Sequence, residues 1–236
     1  MSEQSPRKRR RRLRGIAYLV AVYAAAAYVV IPELWRVAEH YLLSQPGGMV
    51  THTTAGIPGD PINIGIAGDK AQIIAAFAKA GWDTADALTL RTAAEIGLAV
   101  LFDRPYPDAP VSTLVFEGRP QDLAFEKPIG DSPDRRNHVR FWFTSQIVDN
   151  NELWLGSASL DTGAGLSHDT GQITHHIGPD IDAERNLVIA DLDATGAVAR
   201  VFEIPGRGAT QDGRNGGGDR YFTDGLAKIA VLKDSD

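Results

Sequence analysis

The chain has 236 residues and no cysteine, which excludes disulfides, thiolate catalysis and metal sites with cysteine ligands. Hydrophobic residues make up 43% and charged residues 23% of the sequence, as in globular proteins and unlike disordered ones. The net charge of −6 combines a basic tail, Met1–Arg14 at +6, with a remainder at −12. An acidic domain of this kind is not expected to bind nucleic acid.

The first predicted element is a membrane-spanning helix. Residues 15–32 carry no charge and would rise about 27 Å as a helix, close to the roughly 30 Å hydrocarbon core of a bilayer. Seven Lys and Arg residues precede this segment, whereas its other flank is nearly neutral. Because positive flanks stay in the cytoplasm, we predict a basic cytoplasmic tail (1–14) and a signal anchor (15–32). The chain would cross the inner (plasma) membrane once, with its C-terminal domain periplasmic or extracellular.

The end of the anchor allows an alternative interpretation. Ala25–Ala27 supplies small residues suited to a signal-peptide cleavage site, but the apolar run continues through 28–31, which favours an uncut anchor. Apolar residues then recur at helical spacing before a stretch rich in Pro, Gly and Thr. We therefore predict an amphipathic extension and linker over 33–59, followed by one domain over 60–236.

Periodicity and turn residues predict the elements of this domain. Asp69 caps a helix that runs through Ala80, a second helix covers 88–102, and a third covers 179–195. Asp149–Asn151 is typical of a hairpin turn. Strand patterns occur at 61–67, 114–117, 123–126, 139–147, 153–160, 198–204 and 221–232. Because strands cluster instead of alternating with helices, the predicted class is α+β, with helices covering a mainly antiparallel sheet.

Histidine and carboxylate residues concentrate between 138 and 184, a combination that suits acid–base catalysis or a divalent metal cofactor such as zinc, manganese or iron. The predicted catalytic residues are His168, His175, His176 and Asp180. The predicted metal ligands are His138, His168, His175 and Asp182. Adjacent side chains diverge on a strand or a helix, so only one of His175 and His176 is expected to face a shared metal. The alternative is that these groups hold loops by hydrogen bonds.

A glycine-rich stretch, Gly213–Arg220, is the second candidate site. Glycines let backbone N–H groups approach an anion, and flanking arginines add charge-assisted contacts. The predicted ligand-binding residues are Arg214, Asn215, Gly216, Gly217, Gly218, Asp219 and Arg220, together with Arg140. The stretch matches neither the GxGxxG fingerprint nor a P-loop, and its alternative interpretation is a tight loop before the last strands.

Several long segments of unusual composition resemble the LssY C-terminal domain family. They are GDPINIGIAG, AGWDTADALTLRTA, RPYPDAPVS, RPQDLAFEKPIG, RRNHVRFW, LSHDTGQITHHIGPDIDAER and GRNGGGDRYFTDG, and they extend from Asp60 to about Leu232. The resemblance implies a domain that stands alone behind a membrane segment. In other members of the family that it resembles, the domain follows multi-span segments of the DedA type and the phosphatidic-acid-phosphatase type. The resemblance also implies a link to type I secretion.

The resemblance assigns no catalytic residues, and the phosphatase signatures of the multi-span relatives are absent from this chain. Residues and resemblance together lead us to expect a membrane-anchored domain of the cell envelope that binds or processes a phosphate-bearing lipid or glycan. The first alternative is a metal-dependent, phosphoesterase-like hydrolase that uses His138, His168, His175 or His176 with Asp180, Asp182 and Asp219. The second alternative is a non-catalytic scaffold whose partners are envelope or secretion proteins.

Overall fold

A computed structural model of the chain describes residues 6–34, 48–54, 56–85, 113–130 and 135–233. The helices are α1 (Pro6–Ala25), which continues through a π-helical turn (Ala26–Val30) and stays helical to residue 34, α2 (Lys70–Lys79) and α3 (Ile181–Ala194). The first strands are β1 (Val50–Thr53), β2 (Pro58–Pro61), β3 (Ile64–Ala67), β4 (Asp83–Thr84), β5 (Leu114–Phe116), β6 (Arg119–Pro120) and β7 (Leu123–Pro128). The later strands are β8 (Arg136–Val148), β9 (Asn151–Leu166), β10 (Ile173–Ile177), β11 (Val198–Pro205), β12 (Thr210–Arg214), β13 (Arg220–Thr223) and β14 (Leu226–Leu232).

The described strands form one large sheet and two small ones. The large sheet has the order β11–β14–β3–β9–β8–β7–β4, with β10 paired to β9 beside this path. Its pairs are antiparallel except for β14 with β3. A second sheet has the order β2–β1–β5–β6, and β12 pairs with β13. The prediction of one domain with a mainly antiparallel sheet is confirmed.

One face of the large sheet contacts α2 and α3 through an aromatic core. Phe77 of α2 stacks on Phe125 with ring centroids 4.0 Å apart and meets the edge of Phe141. Val188 and Leu192 of α3 belong to the same buried cluster. That the helices cover the sheet as a layer stays a prediction, because the expected helix 88–102 lies outside the described residues.

The opposite face of the large sheet is apolar at one end and polar at the other. Trp142 of β8 packs against Leu114 and Phe116 of the second sheet. Side chains alternate along a strand, so His138 and Arg140 share this face with Trp142, whereas Val139 lies in the aromatic core. The polar end of this face, between the two sheets, carries the candidate site.

Local signals in the sequence predict the helix caps and turns well. The Asp69 carboxylate accepts the N–H of Gln72, and the Gln72 side chain accepts the N–H of Asp69, which is a capping box. Asp149 and Asn150 take positive φ angles of 50° and 64° in the turn between β8 and β9, as the predicted hairpin requires.

The beginning of the folded part differs from the sequence-based expectation. Strand β1 and the start of β2 lie inside the segment 33–59 that was predicted to be a linker. Thr is common in strands, and Gly is common in the turns beside them, so composition alone did not reveal this pairing. Thr51 is fully buried and its hydroxyl donates to the Asp60 carbonyl at 2.7 Å, which ties β1 to β2.

The N-terminal helix fits the predicted membrane span in length and composition. The segment Arg10–Leu34 is long and apolar enough to cross a membrane, and most of its side chains are exposed. Its C-terminal half contacts the domain, because the Tyr23 hydroxyl donates to the Gly171 carbonyl and the Gln172 amide donates to the Ala27 carbonyl. The helix therefore forms one wall of the site described next.

Candidate functional site

A cavity of about 560 Å³ lies between the end of the α1 helix, the second sheet and the polar end of the large sheet. The helix contributes Tyr28, Val29, Pro32 and Glu33 to its wall. The domain contributes the charged groups Asp60, Arg140 and Asp161 and, among its polar groups, His175 and Asn215. A cavity of this volume suits a small ligand or a lipid headgroup.

Arg140 is a buried cation in this wall with few contacts. Its side chain is 6% exposed, and its Nη1 lies 3.8 Å from Asp60 Oδ2. Nε and Nη1 have no hydrogen-bond partner among the described residues. Burial lowers the pKa of Arg140 and raises the pKa of Asp60, so the attraction within this pair only partly offsets the loss of hydration.

Asp161 lies between two histidines that approach from different strands. Its Oδ2 is 3.1 Å from His138 Nδ1 and 3.4 Å from His175 Nδ1. Burial by itself would raise the pKa of Asp161, but His138, His175 and Arg140 together hold it well below its usual range. Burial lowers the pKa of His175, against the attraction of Asp161. A neutral His175 beside an ionised carboxylate is an arrangement that can accept a proton.

Glu184 of α3 lies on the other side of the sheet, behind His138. In the amide orientation that satisfies both groups, Asn137 donates to the two carboxylate oxygens of Glu184 at 3.1 and 3.3 Å. Burial raises the pKa of Glu184 to about 7, against a smaller opposing effect of the His138 backbone N–H. Glu184 therefore titrates near neutral pH directly beneath the site.

The glycine-rich loop encloses a side chain instead of forming an open anion nest. Asn215 Oδ1 accepts the N–H groups of Gly217 and Asp219, and the Asn215 carbonyl accepts that of Gly218. The prediction that this backbone forms an anion-binding nest is corrected here, because these N–H groups are already used within the loop. The loop still contributes to the cavity, since Asn215, Gly216 and Gly217 line it and the Asn215 amide donates to Asp60 at 3.1 Å.

The arginines beside this loop lie outside the cavity lining. Arg214 is 3.6 Å from Asp169, and Arg220 is 3.3 Å from Asp212, with exposed side chains in both cases. Among the predicted arginines, Arg140 is the one that lines the cavity.

The predicted metal ligands do not come together as one set. His138 and His175 meet at Asp161, whereas His168 lies beside His176 and Asp219 on the other side of β10. Asp182 accepts the Thr223 hydroxyl and the Asp224 N–H, and so holds a turn near the start of α3.

Asp180, a predicted catalytic residue, caps α3 by accepting the N–H of Ala183 at 2.9 Å. A hydrogen bond of this type satisfies a donor of the first helical turn. The two carboxylates of the domain that border the cavity, Asp60 and Asp161, were missed, because single acidic residues beside strands resemble ordinary surface positions. The one available signal was their place at the ends of predicted strands, with Asp60 directly before 61–67 and Asp161 directly after 153–160.

Glu184 is expected to make the stability of the protein depend on pH. Its ordinary pKa is 4.5 and its folded pKa is about 7. The folded state therefore holds the proton more tightly, so stability is complete below pH 4.5 and falls as pH rises towards 7. The loss corresponds to about 3 kcal/mol of unfolding free energy. Urea unfolding of the full chain in detergent should show this decline between pH 4.5 and 7.

Glu184→Gln should remove most of that decline, because a glutamine cannot ionise. The matched control Glu152→Gln, at an exposed position of β9, should keep the wild-type pH slope. Equal slopes for Glu184→Gln and the wild type would contradict the assignment.

Comparison with known proteins gives a single finding. The family model described as the LssY C-terminus matches residues 35–226, which is most of the chain and includes the cavity-lining residues of the domain, though not those of the N-terminal helix. Neither the curated proteins nor the solved structures contain a match to this chain. The family match confirms the resemblance that the sequence motifs indicated. The chain belongs to the LssY C-terminus family.

Proposed function

We propose that the protein is a membrane-anchored domain whose cavity binds the phosphate group of a lipid or glycan at the membrane surface. The observation that carries this proposal is Arg140, a buried cation in the cavity wall with unpaired guanidinium N–H groups among the described residues. An arginine donates charge-assisted hydrogen bonds to a phosphate, and these strengthen when water is excluded. A phosphate would satisfy donors that Asp60, at 3.8 Å, leaves without hydrogen bonds.

The remaining groups of the cavity support a ligand that carries hydroxyls as well as an anion. Asp60, Asp161 and His175 lie in the same lining as Arg140. Carboxylates accept hydrogen bonds from hydroxyl groups but repel a second anionic centre. The chemistry therefore favours one phosphate on a glycerol or sugar framework over a highly charged polyanion.

The position of the cavity supports a ligand that comes from the bilayer. Four residues at the end of the apolar helix line it, and the turn 167–172 contacts the same helix at Tyr23 and Ala27. The lining residues 28–33 form the last turns of the predicted span, so the end of the cavity that they line would face the headgroup boundary of the bilayer. A headgroup would then reach Arg140 without leaving the membrane surface.

Binding should depend on the Arg140 charge. We expect the full chain in detergent to bind at least one of three probes: inorganic phosphate, glucose 1-phosphate and dihexanoylphosphatidic acid. Arg140→Gln should weaken that binding about 10- to 100-fold, since a charge-assisted hydrogen bond contributes roughly 1.5–3 kcal/mol. Glu33→Gln, which removes a negative charge from the cavity rim, should strengthen it. Isothermal titration calorimetry measures both changes.

Arg200→Gln is the matched control, because Arg200 is exposed and pairs with Asp149 away from the cavity. Tighter binding of the phosphatidic acid than of glucose 1-phosphate would identify the natural ligand as a lipid. The reverse order of affinities would identify it as a glycan. Failure of the wild type to bind any of the three probes would refute the proposal, as would equal affinities of Arg140→Gln and the wild type.

A second candidate function, hydrolysis of the bound phosphoester, is favoured by the His175–Asp161 pair. His175 lines the cavity with Nδ1 directed at Asp161. The carboxylate would orient the imidazole and stabilise its protonated form, while the other ring nitrogen takes a proton from the attacking water. As the water oxygen bonds to phosphorus, the P–O bond to the alcohol would break, and the imidazolium would return the proton to the departing alkoxide. Arg140 would hold the phosphate beside that water.

If the chain hydrolyses any of the phosphoester probes, His175→Gln should lower the rate of phosphate release at least about 100-fold, the usual contribution of a general base. Substrate affinity should change little, because Arg140 remains. His52→Gln, on β1 and outside the cavity lining, serves as the matched histidine control. An unchanged rate in His175→Gln would exclude this role.

The proposed orientation places the basic tail in the cytoplasm and the domain outside it. The charge difference across the apolar helix supports this arrangement. The absence of native cysteine allows a direct test, because an introduced thiol is the only one in the chain. A membrane-impermeant maleimide should label Asp212→Cys, at an exposed site of the domain, on spheroplasts. Ser5→Cys, in the tail, should react only after the membrane is permeabilised, and the opposite pattern would reverse the orientation.

A further inference from the structure

Three potential metal ligands meet on the far side of β10 from His175. His168 lies in the turn after β9, His176 lies in β10, and Asp219 is the residue before β13. Asp219 Oδ1 is 2.7 Å from His176 Nδ1 and 3.7 Å from His168 Nε2. One ligand atom from each residue lies within 4.8 Å of the others. Bonds of about 2.0–2.2 Å to a shared zinc ion would separate the ligand atoms by about 3.4 Å, inside this range.

The carboxylate of this cluster is held in place by the backbone. Asp219 is largely buried, and its Oδ2 accepts the Ile177 N–H at 3.1 Å, which leaves Oδ1 directed towards the histidines. The Asp219 N–H donates to Asn215 Oδ1 at 2.9 Å. Hydrogen bonds that fix a ligating carboxylate are a regular feature of metal sites.

Two glycines allow the histidines to approach so closely. Gly218 has a φ of +80°, and a Cβ added there would lie 2.9 Å from the Cβ of His168. A Cβ added at Gly165 would lie 2.6 Å from His176 Nε2. A side chain at either position would displace a histidine, so the backbone here is shaped around the two imidazoles.

We propose that His168, His176 and Asp219 bind a divalent transition metal, with Zn²⁺ as the ion that the donor set fits best. Two imidazoles and one carboxylate supply three of the four ligands of a tetrahedral zinc ion. The His168 side chain is 64% exposed, so the fourth position would be open to water. Three protein ligands with one open position is the arrangement of catalytic zinc sites, as opposed to structural ones.

The metal site would share a wall with the phosphate-binding cavity and yet be independent of it. Asn215 connects the two, because its Oδ1 accepts the Asp219 N–H while its Nδ2 donates to Asp60. Metal binding is measured without any phosphate ligand, so its failure and the failure of the proposed function are distinguishable.

The test is a Zn²⁺ titration of the full chain in detergent, purified through a tag without histidines and freed of metal by dialysis against a chelator. The wild type should bind one equivalent with high affinity. His168→Gln and His176→Gln should each weaken binding by at least about 10- to 100-fold, the loss that even the hydrogen-bond partners of metal ligands produce. Co²⁺ bound to the wild type should give visible absorption bands that both variants lose.

His175→Gln is the matched control for metal affinity, because it changes the neighbouring imidazole, which faces Asp161 instead. It should leave the Zn²⁺ affinity at the wild-type value. His168 is exposed, so His168→Gln should fold and remain informative even if His176→Gln is unstable. The proposal is overturned if the wild type binds no Zn²⁺, if His168→Gln binds it as tightly as the wild type, or if His175→Gln weakens binding as much as His176→Gln.

Discussion

Burial of the Arg140 guanidinium between two sheets is the interaction on which the candidate site depends. A cation removed from water must be compensated by carboxylates that also become buried. Asp60 and Asp161 provide this compensation from β2 and β9, and Asn215 and His175 hold those carboxylates from two further segments. These polar contacts therefore connect β2, β8, β9, β10 and the glycine-rich loop. Trp142 packs in a hydrophobic cluster on the same face, and loss of hydration in such surroundings makes this compensation necessary.

Features that depend on neighbouring residues could be predicted from the sequence, and features that depend on distant contacts could not. The Asp69 cap and the turn at Asp149 and Asn150 are local and were predicted correctly. The contact between Asp60 and Asn215 joins residues 155 positions apart, and no periodic pattern in the sequence predicts it. Strand alternation did indicate that His175 and His176 diverge, and they face Asp161 and Asp219. Which carboxylates they meet depends on the register of β10 against β9.

The glycine-rich loop shows how one residue pattern can serve two purposes. Its glycines were interpreted as places where a backbone could approach an anion. In the structure they let the backbone approach side chains of this chain, with Gly216 close to Thr53 and Gly218 close to His168. The physical property is the same in both interpretations, namely the absence of a Cβ. Only the fold determines what occupies the space that the missing side chain leaves.

Contact between α1 and the turn 167–172 also restricts how the domain can move relative to its anchor. A domain on a flexible tether samples many orientations, and most of them turn its cavity away from the bilayer. Hydrogen bonds at Tyr23 and Ala27, one helical turn apart, oppose rotation of the domain about the helix axis. As long as the helix stays docked, the cavity mouth keeps a fixed direction relative to that helix. In the proposed function, a fixed mouth would spare a ligand part of the orientational entropy that binding to a freely tethered domain costs.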